Sequence, residues 1–327
     1  MRLFRVALLA GLISAASLST SARSAQPARA LVQVLVLGAD GQPLAGLTRG
    51  DFRVTAGGQS VAVESVEPGP APASLVVLFD VSASLDGNYG KGDATTALRA
   101  TLDNWLTASP APVDRWRFGS FAQQLRMGSE LSSDAAALRA ATGAILNVPD
   151  AERFGPSPAW DAAAAGVTAL EGERGRRSVV LITDGRSTGN RRGLVELVRH
   201  AVAAGVPISV IGPVGEQRYT VSESTALIVN STLGLQTLAA ETGGAYFPGF
   251  GRAGGDLPPR PPQGPPPKLA PWMELQLGTL ERTALETRMS YVIGLSLPAT
   301  TGPRHLEVTV SNRPGTIVRA PGSIVSR

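Results

Sequence analysis

Between residues 74 and 248 the chain alternates short, wholly apolar runs with longer amphipathic ones, and few architectures accept that alternation. The runs "LVVLF" (75 to 79), "SVVLIT" (178 to 183) and "PISVIG" (207 to 212) are short and predominantly apolar, and "RWRFGSFA" is a less apolar fourth. Strands of this kind are buried on both faces, the condition of a parallel sheet covered by helices on each side. The stretches "DATTALRATLDNWLTA", "SDAAALRAATGAILNV", "AWDAAAAGVTALEG", "RRGLVELVRHAVAAG" and "TLGLQTLAAETG" between them read as helices. The expectation for 74–248 is therefore an α/β fold built on a doubly wound, mostly parallel, Rossmann-like sheet.

The flanks read differently. Residues 31–67 form strands, with Phe52 and Val54 set against Val61 and Val63 across Gly57-Gly58; two glycines between alternating runs predict a tight hairpin. Residues 249–271, "GFGRAGGDLPPRPPQGPPPKLAP", are too rich in glycine and proline for a helix or a central strand and read as an extended loop. In 272–327 a helical stretch, "WMELQLGTLERTALETR", precedes the strand-like "SYVIGLSL", "RHLEVTVS" and "TIVRA". These C-terminal strands are expected to join those of 31–67 in a smaller β-domain, with the α/β unit inserted into it.

Residues 1–25 combine two arginines, an apolar run from about Val6 to Leu18 and small polar residues, the layout of a secretory signal. The chain is expected to be exported, periplasmic or secreted, in a bacterium, with no stable membrane span once processed. It contains no cysteine, which removes disulfides, thiolate metal sites and a cysteine nucleophile. A net charge of +4 is spread over dispersed basic residues, and such a surface lacks the concentrated stripe that nucleic-acid binding needs. "GFGRAG" at 249–254 matches a dinucleotide fingerprint in letters, but a proline-rich segment stands where the motif requires a helix.

Chemistry concentrates where the apolar strands end. Ligands of open parallel sheets bind outside the carboxyl ends of the strands, at the point where strand order reverses. Asp80, Ser82 and Ser84 follow "LVVLF" at alternate positions, which in extended backbone share one side. Asp184 ends a second strand, and Ser157 stands just before a helix. The set Asp80, Ser82, Ser84, Ser157 and Asp184 offers oxygen only, a donor set suited to a hard cation such as Mg2+ or Mn2+. Two carboxylates balance a divalent charge and hydroxyls add none, which leaves the ion electrophilic toward an outside anion.

Asp80-Val-Ser82-Ala-Ser84, together with Thr183-Asp184-Gly185, resembles the metal-ion-dependent adhesion site (MIDAS) of the von Willebrand factor type A (VWA) domain. The family's threonine, four residues before an aspartate at a helix start, falls on Ser157 relative to Asp161; the serine keeps the hydroxyl and is flanked by Pro156 and Pro158. Segments such as "LAGLTRGDFRVTAGGQSVAVESV" and "SYVIGLSLP" look like the flanks of exported bacterial, acidobacterial-type VWA-related proteins. The resemblance implies a non-enzymatic interaction module whose metal coordinates an Asp or Glu of a protein partner. It also implies that the serines ligate directly and that the aspartates act through water.

Other readings stay open. Asp80, Ser82 and Ser84 also suit a capped turn, Ser157 a helix cap and Asp184 an Asp-Gly turn. A structural scaffold with a degenerate metal site is one alternative. A magnesium-dependent phosphoryl-transfer enzyme with Asp80 as nucleophile is another, although the acid such enzymes carry two residues on is here Ser82. His200 and His305, the two histidines, are not placed by sequence near Asp80, so a Ser-His-Asp hydrolase has no visible base.

Overall fold

The computed structural model describes residues 28–85, 94–108, 113–216, 218–222, 227–250, 271–298 and 302–325. Residues 1–25, read as a secretory signal, and most of the proline-rich segment therefore lie outside the described residues. In chain order the elements are β1 (Ala28–Leu37), β2 (Phe52–Ala56), β3 (Gln59–Glu67), β4 (Ala73–Asp80), α1 (Ala94–Ala108), β5 (Arg115–Phe121), β6 (Leu125–Met127), α2 (Ala135–Ile145), α3 (Asp150–Arg153), α4 (Ala159–Leu170), β7 (Arg176–Ile182), α5 (Leu194–Ala204), β8 (Ile208–Pro213), β9 (Arg218–Ser222), β10 (Leu227–Asn230), α6 (Ser231–Thr242), β11 (Tyr246–Phe250), α7 (Pro271–Met289), β12 (Tyr291–Leu297), β13 (Arg304–Val310), β14 (Ile317–Arg319) and β15 (Ser323–Ile324).

The central sheet has the order β11-β8-β7-β4-β5-β6, parallel except for the antiparallel edge strand β6. Every residue of β4 is buried, because alternate side chains enter opposite cores. Leu75, Val77 and Phe79 pack with Leu102, Leu106 and Leu138 of α1 and α2 and with Leu280 of α7. Val76 and Leu78 pack on the other face with Ala163 and Val167 of α4, Leu197 of α5 and Leu235 of α6. The chain leaves β4 toward β5 on one side and leaves β7 toward β8 on the other, so the order reverses between β4 and β7. A doubly wound sheet opens its ligand crevice at that gap.

The second sheet, β14-β1-β12-β3-β2-β13-β15, is antiparallel and combines N-terminal with C-terminal strands. Its hairpin has Gly57 at φ +60° and Gly58 at φ +77°, the pair of left-handed residues that a two-residue turn requires, and it sets Val54 opposite Val61. Its core joins Val32, Val34, Phe52, Val54, Tyr291 and Ile293.

This sheet abuts the amino ends of the parallel strands. Buried Arg176, the first residue of β7, donates from Nε to the Ser290 carbonyl at 2.8 Å and from Nη2 to the Glu67 carbonyl at 3.0 Å. The Arg177 N–H donates to Gln33 Oε1 at 3.0 Å. The carboxyl edge of the α/β unit is thereby left clear.

Residues 215–231 are expected from sequence to be a surface loop, and here the structure differs. β9 and β10 pair as an antiparallel ribbon, because "RYTVS" and "LIVN" carry β-branched residues that favour a strand over a loop. Strand β11 is also unanticipated: "YFPGF" contains a proline and a glycine, and its pairing beside β8 is what makes it a strand.

Candidate metal centre

Asp80 is the last residue of β4 and only 3% exposed, with Ser82 and Ser157 buried beside it. Past the strand end the chain forms a single 3-10 turn at Ala83–Leu85, which keeps Ser82 and Ser84 on one side of the bend. Their hydroxyl oxygens lie 3.0 Å apart. Asp80 Oδ1 accepts the Ser82 N–H at 2.9 Å and the Ser157 hydroxyl at 3.4 Å. Its Oδ2 accepts the Thr183 hydroxyl at 2.6 Å. Residues from three separate loops thus converge on one carboxylate.

Asp184 follows directly, largely buried, with Oδ1 accepting the Arg186 N–H at 2.9 Å. Burial, and then the negative charge of Asp184, push the Asp80 carboxyl up from its ordinary 3.8 to about 6, while the Ser82 and Thr183 hydrogen bonds pull it partly back. Next to this cluster the buried Arg153 guanidinium donates from Nε to the Val81 carbonyl at 3.0 Å, one residue past Asp80.

The loop that carries Ser157 is pinned from the far side. Thr188 and Ser157 are doubly bonded, the Ser157 N–H to Thr188 Oγ1 at 3.1 Å and the Thr188 N–H to the Ser157 carbonyl at 2.9 Å. Asn190 Oδ1 accepts the Trp160 N–H at 3.0 Å. Asp161, in the first turn of α4, accepts the Arg191 and Arg192 N–H groups at 2.8 and 3.1 Å. The loop between β7 and α5 is tied to the head of α4 along its length. Pro156 and Pro158 do not displace Ser157 from Asp80: α4 begins only at Ala159, and Ser157 stands in a tight turn before it, its carbonyl accepting the Ala159 N–H at 3.0 Å.

The structure places Asp80, Ser82, Ser84 and Ser157 in one hydrogen-bonded cluster and Asp184 beside it. Sequence reasoning left Thr183 out of the donor set, although this fully buried hydroxyl makes the shortest contact to Asp80. Its signal was its place at the end of an apolar strand, one residue before Asp184. The second function of Asp161, holding the neighbouring loop, was also missed. His200 pairs with Glu171 at 2.8 Å and lies outside the cluster.

Two observations bear on whether a cation fits. The Ser82 and Ser84 hydroxyls are hydrogen-bonded at 3.0 Å, a separation that adjacent oxygens of an octahedral Mg2+ shell with bonds of about 2.1 Å also have. Burial and the Asp184 charge both disfavour an ionised Asp80, and a bound cation relieves that cost. Among the described residues no three His, Cys, Asp or Glu side chains gather as a metal cluster. An ion here therefore depends on hydroxyls, a donor set suited to Mg2+ or Mn2+ rather than zinc.

No protein-family model matches the chain, and no curated protein is similar to it in sequence. Among solved structures, an aerotolerance-related membrane protein from Bacteroides fragilis is similar at 14% identity, covering 65% of this chain and 98% of that one with a TM-score of 0.42. BatB from Bacteroides thetaiotaomicron is similar at 15% identity over 54% of this chain and 90% of that one, with a TM-score of 0.40. The VWA domain of SpRpn10 is similar at 12% identity over 54% and 86%, with a TM-score of 0.37. Likenesses this distant decide nothing about function, and the architecture rests on the chain's own sheet order.

Proposed function

We propose that this protein is an interaction module that captures an acidic side chain of a partner protein through a divalent cation, Mg2+ or Mn2+. The residues that would hold the ion are Asp80, Ser82, Ser84, Ser157 and Asp184. The ion supplies a positive centre with an open position for the Asp or Glu carboxylate of the partner. The observation that carries the reading is the convergence, at the reversal point of a doubly wound sheet, of two buried carboxylates and three hydroxyls.

The chain's own residues have separable tasks in this reading. Asp80 neutralises charge and orders the cluster, since its two oxygens accept from Ser82, Ser157 and Thr183. Thr183 holds Asp80 in place and, through Oγ1, accepts the Gly185 N–H at 3.0 Å, which shapes the turn that presents Asp184. Ser82, Ser84 and Ser157 offer neutral oxygens, so the ion keeps its attraction for an outside anion. We further infer that the module works outside the cytoplasm, periplasmic or secreted, as the basic-apolar-polar layout of residues 1–25 supports. Among the described residues no helix is long and apolar enough to cross a membrane.

Mn2+ is visible by electron paramagnetic resonance when free and broadened when bound, so titration counts sites directly. The expected result is one Mn2+ per chain, displaced by Mg2+ and abolished in Asp80→Ala and Ser82→Ala. Equal Mn2+ uptake by wild type and both variants would refute the site.

A further inference from the structure

Beside the cluster lies an open cleft of about 600 Å³, walled by the β5–β6 turn, the head of α4 and the loop between β7 and α5. Gln123, Gln124, Asp161, Arg191 and Arg192 are among the residues that line it. Both Asp161 oxygens accept main-chain N–H groups, so this carboxylate is committed to the loop. Arg191 and Arg192 are exposed, and among the described residues neither guanidinium pairs with a carboxylate. The lining thus carries two cations against one anion, together with two amide side chains. Phe154, 77% exposed, adjoins Gly155, which lies against the Gln123 side chain. Aromatic and arginine side chains are the residue types enriched in binding hot spots.

We propose that this cleft is a second recognition subsite, which takes a further Asp or Glu side chain of the same extended partner segment while Phe154 packs against an apolar residue next to it. The inference deepens the metal-site reading and rests on it for the first carboxylate. Charge complementarity selects the occupant: guanidinium groups match carboxylates in geometry as well as sign. Pro158 and Gly189 of the wall follow Ser157 and Thr188 in sequence, so the two subsites are contiguous. An extended segment can therefore reach both without leaving the edge. The partner is thereby specified as a protein segment with clustered acidic residues, where the metal alone would accept any exposed carboxylate.

The test uses the full chain and a fluorescein-labelled hexa-aspartate peptide, followed by anisotropy in millimolar Mg2+ or in chelator. The double variant Arg191→Ala/Arg192→Ala should weaken the peptide about tenfold, the sum of two exposed charge pairs, and reduce its salt sensitivity. Mn2+ stoichiometry should stay as in wild type. Arg191→Lys/Arg192→Lys should retain more of the affinity, and Arg174→Ala, an exposed arginine before β7 at the opposite edge, should leave it unchanged. Equal binding by wild type and the double alanine variant, or an equal loss in Arg174→Ala, overturns the subsite. Metal-dependent binding indifferent to the two arginines overturns the subsite and keeps the metal reading. Arginine-dependent binding that is identical in Mg2+ and chelator does the reverse.

Discussion

Asp80 carries two demands that oppose each other when no cation is present. Its folded carboxyl titrates near 6 and its unfolded one near 3.8, so between those values the folded chain holds a proton that the unfolded chain has lost. Stability in chelator should therefore fall as pH rises from about 4 to about 6, and level off above. Asp80→Asn should remove that slope and make the metal-free protein more stable than wild type at pH 7, read by urea unfolding across the range. In saturating Mg2+ the wild-type dependence should reverse, because ligation requires the ionised carboxylate. A wild-type slope unchanged in Asp80→Asn would assign the pH dependence elsewhere.

At the level of elements, the site is an assembly of three loops whose mutual fixation matters as much as their donors. Asp161 accepts two main-chain N–H groups from the loop between β7 and α5, so Asp161→Ala should cost about 2 kcal/mol and weaken Mn2+ binding without deleting a proposed ligand. Equal melting and equal Mn2+ affinity in that variant would show that the loop holds its own shape. The same elements explain what could be read in advance. β4, β7 and β8 were legible because strands buried on both faces leave continuous apolar runs, and Asp80, Ser82 and Ser84 because period-two spacing follows one of them. Ser157 was legible through its position before a helix and its spacing from Asp161. Strand β11 and the β9–β10 ribbon were not, since their pairing depends on partners far along the chain and on local sequences that contain turn residues. Thr183 and Asp161 stood in the motifs, but their roles were not legible for a related reason: these are contacts to atoms 103 and about 30 residues away.

Over the whole molecule, two sheets are joined at the end of the α/β unit opposite the site, and Arg176 is the clasp. Its guanidinium satisfies the carbonyls of Glu67 and Ser290, at the points where the chain leaves and re-enters the antiparallel sheet. Arg176→Met should leave those carbonyls without their donor and cost about 2–4 kcal/mol, seen as a lower calorimetric midpoint with unchanged Mn2+ affinity. An altered Mn2+ affinity would instead mean that the two ends of the sheet are coupled. The central claim, a cation held at the reversal point, is read most directly from global stability. Wild type and Asp80→Ala should be melted in millimolar Mg2+ or Mn2+ and in chelator. At about 100 times its dissociation constant a native-state ligand stabilises by about 2.7 kcal/mol, or roughly 5–10 °C for a chain of this size. The account predicts that rise in wild type and none in Asp80→Ala; identical melting of wild type with metal and with chelator would contradict it.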